Sequence, residues 1–346
     1  MHTPERFSEL VREALSSQLA SFNPFRIQLR FHCYEDISER EMNALLKKCA
    51  LSSHGVILKA MNSPSLVSTI DALLKRRVPV VTIVTDIPSS ARLRYIGMDN
   101  VDAGKAAAFL MSKWLGADST QIAAVTGSND FIGERERIAG FISGIEQFAP
   151  RNSINVVAGG LGIDHQMYAC LCQYLDAHPH TEAVYTVGGG NAGIIRAFAE
   201  RNRRIKTFIG HDFDRENRAL MQAGKIDALI EHNLQLDAQT AFRSLLAFHG
   251  FIPEGDSLKP LFTDQHHHPV QYVYLKGRCA VGEECASTSP QRYAGVTHSD
   301  PCSWLSTTAS TNATPLRPSY TCGTAAPVRL SACCASRLCK AAAKPL

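Results

Sequence analysis

Groups able to hold a small molecule cluster where predicted strands end. Thr85 and Asp86 follow Val84, Asp99 and Asn100 follow Met98, and Ser128-Asn129-Asp130 with Glu134-Arg135-Glu136-Arg137 follow Gly127. His211 and Asp212 follow Gly210, and Glu231-His232-Asn233 follow Ile230. In open parallel sheets ligands bind beyond the carboxyl ends of the strands. A ring of mixed donors and acceptors suits a polyhydroxylated ligand, because each hydroxyl both donates and accepts.

One motif points elsewhere. Gly188-Gly189-Gly190-Asn191-Ala192-Gly193 reads GxGxxG between a strand and a helix, and Asp212 lies 19 residues beyond Gly193. Those are the parts of a dinucleotide fingerprint, so an NAD-dependent oxidoreductase is a rival reading. Against it, Asp212 is followed by further charges in Phe213-Asp214-Arg215-Glu216, and no catalytic Lys–His or Tyr–Lys pair is evident downstream. A tight turn that needs glycine at positive φ explains the same residues. His266-His267-His268 reads as a solvated loop, and Cys170 and Cys172, two apart on a helix, point in different directions. No HExxH, GxSxG or Walker A sequence is present. The expectation is a non-enzyme with neither cofactor nor metal.

These groups need a scaffold, and the hydrophobic pattern supplies one. Short β-branched runs alternate with amphipathic stretches through residues 1–278. Val78-Pro79-Val80-Val81-Thr82-Ile83-Val84 is almost continuously apolar, as for a strand covered on both faces. In the following-period segments, Val67, Ile70, Leu73 and Leu74 share one helical face, with Ser63 as N-cap and Pro64 in the first turn. Ten strands and nine helices are predicted. Repeated βα units imply an α/β fold, and ten strands imply two lobes.

The 346 residues carry a net charge of +4, too little to demand a nucleic-acid partner. No apolar run reaches membrane-spanning length, and the first residues are charged, so the expected location is the cytoplasm. Composition changes near Arg278. Residues 279–346 hold no Phe or Ile and only eight Leu and Val among 68 positions, yet seven of the 11 Cys. Such a segment buries too little apolar surface to offset its ordering entropy, so a disordered tail is expected.

The succession VPVVTIVTDIP, RYIGMDNVDAGKAAAFLM, VTGSNDFIGERERIAGFISGI, VYTVGGGNAGI, TFIGHDF and DALIEHN resembles the ligand-sensing region of lactose-repressor-type (LacI family) transcription regulators. The resemblance covers about residues 5–275. It implies the type I periplasmic sugar-binding protein fold, two α/β lobes joined by three crossovers with a sugar in the cleft. The lobes would comprise 1–99 with 235–262, and 100–233 with 263–278, ahead of a 279–346 tail. It further implies ligand roles for Arg135, whose planar fork would grip hydroxyls, and for Asp212, Asp86, Asn191 and His232. Asp99 and Asn100 would serve the hinge.

By the same resemblance the ligand is a sugar or sugar derivative and the partner a second copy of the chain. DNA would be reached only through a helix-turn-helix head to which nothing here corresponds. The first strand of the first lobe also has no counterpart at the start of the sequence, which leads to the expectation of an open slot in that sheet. A sugar-binding protein of a transport system is the alternative reading.

Overall fold

The protein is described here from a computed structural model, which covers residues 1, 5–116, 119–253, 267–268, 272–275 and 329–332. The apolar runs become strands and the amphipathic stretches helices. Ser63 caps α3 (Pro64–Lys75) by accepting the Leu66 N–H at 3.3 Å. Ser38 and Glu41 form a reciprocal capping box on α2 (Glu39–Ala50).

Two six-stranded sheets result. The first runs β1 (Gln28–Arg30), β12 (Arg329–Ala332), β2 (Gly55–Leu58), β3 (Val80–Ile83), β4 (Arg94–Met98), β10 (His267–His268), with every pair parallel. The second runs β11 (Tyr272–Leu275), β9 (Ala228–Glu231), β8 (Thr207–His211), β7 (Thr181–Thr186), β5 (Gln121–Thr126), β6 (Ser153–Ala158), with only β11 antiparallel.

Each strand sends alternate residues to opposite faces. In the first sheet Ile57, Val81 and Ile83 pack with Val11 and Leu15 of α1 (Glu5–Gln18) and with Phe242 and Leu245 of α9 (Leu234–Phe248). Val56, Leu58 and Val80 face Leu46 of α2 and Ile70 and Leu73 of α3 on the other side. In the second sheet Ile122, Ala124 and Tyr185 meet Met111 of α4 (Asn100–Leu115) and Phe141 of α5 (Ile132–Phe148). Val125, Val184 and Phe208 meet Leu171 of α6 (Asp164–Ala177) and Phe198 of α7 (Asn191–Ala199).

The chain crosses between sheets four times: from β4 into α4, from β9 into α9, between β10 and β11, and between β11 and β12. Residues 267–268, expected in the second lobe, pair with β4 and extend the first sheet. The sheet slot expected to be open is occupied. Residues 329–332, part of the segment expected to be disordered, lie parallel between β1 and β2, with Leu330 opposite Leu29 and Gly55. A parallel strand needs only backbone groups to complete two ladders, so poor side-chain hydrophobicity did not exclude it. The rest of 279–346, and His266, lie outside the described residues.

Candidate functional site

The carboxyl ends of both sheets meet around an open cleft. The first lobe contributes Phe7 from α1, Lys59 after β2, and Val84 and Thr85 after β3; the second contributes Phe131, Gly133, Glu134 and Arg137 at the start of α5, Gly188 after β7, and Asp212 after β8. His232 enters from the second crossing. Two contacts tie the rims together: the Gly133 N–H donates to Thr85 Oγ1 at 3.0 Å, and the Asn62 N–H to the Asp130 carbonyl at 3.1 Å.

Arg137 is the hub, with 4 % of its surface exposed. Its Nε donates to Asn100 Oδ1 at 2.9 Å, Nη1 to the Val187 carbonyl at 3.1 Å, and Nη2 meets His232 Nε2 at 2.8 Å. Because guanidinium only donates, His232 accepts at Nε2 and a neutral ring carries its proton on Nδ1. Asn100 also donates to the Tyr95 hydroxyl and to Glu136 Oε2, each at 3.1 Å. Helix packing aims this group. A Cβ built on Gly104 of α4 would lie 2.0 Å from the Arg137 carbonyl, and one on Gly140 2.0 Å from that of Val101. Only glycine lets the two backbones approach so closely.

Burial, and then the charge of Arg137, holds the imidazoles of His211 and His232 well below the usual histidine range. His211 hydrogen-bonds the Tyr185 hydroxyl at 2.9 Å. Asp212 is 8 % exposed and adopts φ 68° at the end of β8. Val84, at the end of β3 in the other lobe, has the same φ of 68°. A β-branched residue is strained there, and such strain concentrates at ligand clamps. Each lobe thus presents one strained strand end to the cleft.

The expected site residues divide. Asp212 and His232 line the cleft. Arg135 does not: it lies exposed on α5. Two residues along a helix turn by about 200°, so only one of Arg135 and Arg137 can face the cleft, and it is Arg137. Asp86 is absorbed by its own loop, accepting from Thr82 Oγ1 and the Ile87 N–H, both at 2.7 Å, and pairing with Arg92 through two guanidinium nitrogens. It is a turn lock instead of a lining group. Asn191 is buried behind the cleft, donating to Asn217 Oδ1 at 2.7 Å. Asn217 in turn donates to the Asp212 carbonyl at 2.9 Å, so Asn191 supports the strained strand end. Asp99 caps α4 through the Asp102 N–H at 2.9 Å, and Asn100 orients Arg137 at the first crossing. The glycines of GxGxxG serve backbone geometry: Gly189 and Gly190 have φ 94° and 75°, and a Cβ on Gly193 would meet the Asp164 carbonyl at 2.0 Å.

Sequence reasoning missed Arg137, Lys59, Phe7 and Phe131. For Arg137 a signal existed. It lies four residues after Gly133 and four before Phe141, on the buried stripe of α5. Glu134, also lining the cleft, is held by the turn it closes. Its Oε2 accepts from Thr126 Oγ1 at 2.7 Å and from the N–H groups of Gly127 and Ser128 at 2.8 and 3.2 Å.

The profile of the family described as "Periplasmic binding protein domain" matches residues 30–248. Curated proteins gave no significant match. Among solved structures, a glucose-galactose binding protein from Geobacillus stearothermophilus is similar at 21% identity and a TM-score of 0.68, covering 81% of this chain and 97% of that one. A myo-inositol binding protein from Caulobacter, bound to myo-inositol, is 20% identical with a TM-score of 0.64, over 72% and 84%. A putative LacI transcriptional regulator from Bacteroides fragilis is 17% identical with a TM-score of 0.64, over 77% and 91%. At these identities the likeness speaks for the fold.

Proposed function

The chain belongs to the periplasmic binding protein domain family, and on that premise we propose that it binds a sugar or sugar derivative in the interlobe cleft, as the effector-sensing part of a LacI-type regulator. The observation that carries this reading is the placement of a buried guanidinium, Arg137, and a buried carboxylate, Asp212, in one cleft lined by both lobes. A fork of donors and a pure acceptor together address adjacent hydroxyls. Phe7 and Phe131 add apolar walls for the C–H faces of a ring. A ligand touching both lobes favours the closed arrangement by its differential affinity, which is the physical content of sensing. Binding of this kind needs no chemical step, and the chain is read as a non-enzyme.

The transport-linked reading uses the same cleft and is favoured by the likeness to a glucose-galactose binding protein. Recovery of the chain from the periplasmic fraction of its host would favour transport; recovery from the cytoplasm would favour regulation. Binding itself is tested by thermal shift with a panel of hexoses, pentoses, cyclitols and their acidic derivatives. At least one should raise the melting temperature, and Arg137→Ala and Asp212→Ala should each abolish that rise. A rise that survives both substitutions would contradict the site assignment.

A further inference from the structure

We propose that Tyr95 is a positioning residue for ligand binding: it couples the strained end of β3 in the first lobe to the Arg137 fork in the second. It touches no ligand itself and acts through Asn100. The inference rests on the sugar-binding reading and deepens it.

The Tyr95 hydroxyl lies where three elements converge. The residue belongs to β4 and is buried. Gly97, two residues on, shares its face of the strand. A Cβ there would lie 2.6 Å from the hydroxyl, so the ring folds back over bare backbone. The hydroxyl reaches the Met98 carbonyl at 3.1 Å and the Val84 carbonyl at 3.3 Å. Burial pushes its ionisation far above the usual tyrosine range, so it keeps its proton. With that proton donated to a carbonyl, the oxygen accepts from Asn100 Nδ2 at 3.1 Å.

The end of β3 is a spring in this arrangement. Across Val84 the Thr85 N–H donates to the Ile83 carbonyl at 2.7 Å, closing a γ-turn at φ 68°. Positive φ marks the rare, strained form of that turn. It presents Thr85 to the second lobe, where Thr85 Oγ1 takes the Gly133 N–H. A Cβ on Gly133 would lie 2.9 Å from the Val84 carbonyl and 3.1 Å from Asn100 Nδ2. The first turn of α5 therefore sits on the same two groups that Tyr95 holds.

Asn100 carries the effect onward. Its amide nitrogen donates to Tyr95 and Glu136, which leaves its oxygen facing Arg137 Nε. An amide turned over would set donor against donor. Arg137 lies one turn after Gly133 on α5, and Val187 and His232 hold its other nitrogens. One unbroken run of hydrogen bonds thus leads from the strained turn, through the first crossing, to the guanidinium and the second crossing. Members of a buried network strengthen one another. Movement of the Val84 turn as the lobes close reaches the fork, and a fork loaded by ligand holds the turn. Removing the Tyr95 hydroxyl cuts the run near its start.

The test is Tyr95→Phe in the full chain, which keeps the ring and removes only the hydroxyl. With arginine labelled for NMR, the Arg137 Nε–H should exchange with water at least tenfold faster than in the parent. That of Arg201, bonded to Asp176 in the same lobe, should stay within twofold. Calorimetric titration with glucose, galactose and myo-inositol should show the tightest binder weakened at least fivefold. Because Tyr95 acts through Asn100, adding Tyr95→Phe to Asn100→Ala should change affinity less than twofold. A general loosening of the lobe would instead speed exchange at both arginines and lower affinity in both backgrounds. That outcome, Arg137 exchange raised less than tenfold, or affinity within fivefold of the parent would overturn the inference and leave the sugar-binding reading standing. Failure of all three sugars to bind the parent would overturn the sugar-binding reading, and Arg137 exchange would still decide whether Tyr95 holds the fork.

Discussion

The two lobes share an architecture and differ in how the chain supplies it. Five of the six strands of the second sheet lie between Gln121 and Glu231, and the sixth, β11, follows at Tyr272–Leu275. The first sheet takes β1 to β4 from Gln28–Met98 and then waits for β10 and β12, the latter at Arg329–Ala332. Moreover β12 is interior, because it is the link between β1 and β2. Loop-closure entropy grows only by about 0.6 kcal/mol per doubling of loop length, so the remote strand is tolerated at equilibrium. Its cost is kinetic, since pairings distant in sequence form late. The second lobe is a local structure, and the first becomes continuous only when the end of the sequence returns.

The sharpest probe of this difference is a matched truncation in each lobe. Phe141→Ala and Phe242→Ala each remove a fully buried ring and should cost about 3–5 kcal/mol. Hydrogen exchange should localise the loss of protection to β5–β9 for the first variant and to β2–β4 for the second. Equal loss across both sheets from either variant would show that the lobes unfold as one unit.

Leu330→Pro comes next. It removes a backbone donor from an interior strand and should cost about 1–3 kcal/mol. Protection of β1 and β2 amides should fall while β5–β9 keep theirs. Unchanged exchange in β1 and β2 would mean that the slot is filled by something else.

A pH dependence also separates the lobes. Asp237, buried at the start of α9 against the first lobe, has its carboxyl pushed up to about 8 by burial. A folded-state value above the unfolded one means that the folded chain holds the proton longer. The contribution is therefore fully present at acid pH and is lost as pH rises from about 4 to about 8. Asp237→Asn should flatten that decline and leave the variant more stable than the parent at pH 8, by up to about 5 kcal/mol for a carboxyl moved from about 4 to about 8. A parallel pH profile in the two proteins would contradict it.

The boundaries of this contrast were partly legible in the sequence. Val78–Val84 read as a strand buried on both faces, and β3 is that strand. GERERIAGF announced a binding helix, yet the choice between Arg135 and Arg137 depended on which face of α5 packs on α4. The close approach at Gly104 and Gly140 decides that, and it is a property of two helices together. The left-handed turn at Val84 goes against its residue type, so no local preference could reveal it. Residues 329–332 gave no signal because their place is defined by two other strands far upstream in register, with Gln28 opposite Arg329 and Gly55 opposite Leu330. The smallest expected effect follows from the corrected face: Arg135→Ala, on the exposed side of α5, should change stability by no more than about 0.5 kcal/mol and leave ligand affinity as it was.

The claim at the centre is that both lobes close on one guest held by Arg137 and Asp212. Titration of a sugar identified by thermal shift into the parent chain and into Arg137→Ala, Asp212→Ala and Arg135→Ala tests it directly. The account predicts affinity lowered at least a hundredfold by each of the first two substitutions and unchanged by the third. Loss of affinity in Arg135→Ala with retention in Arg137→Ala would contradict it.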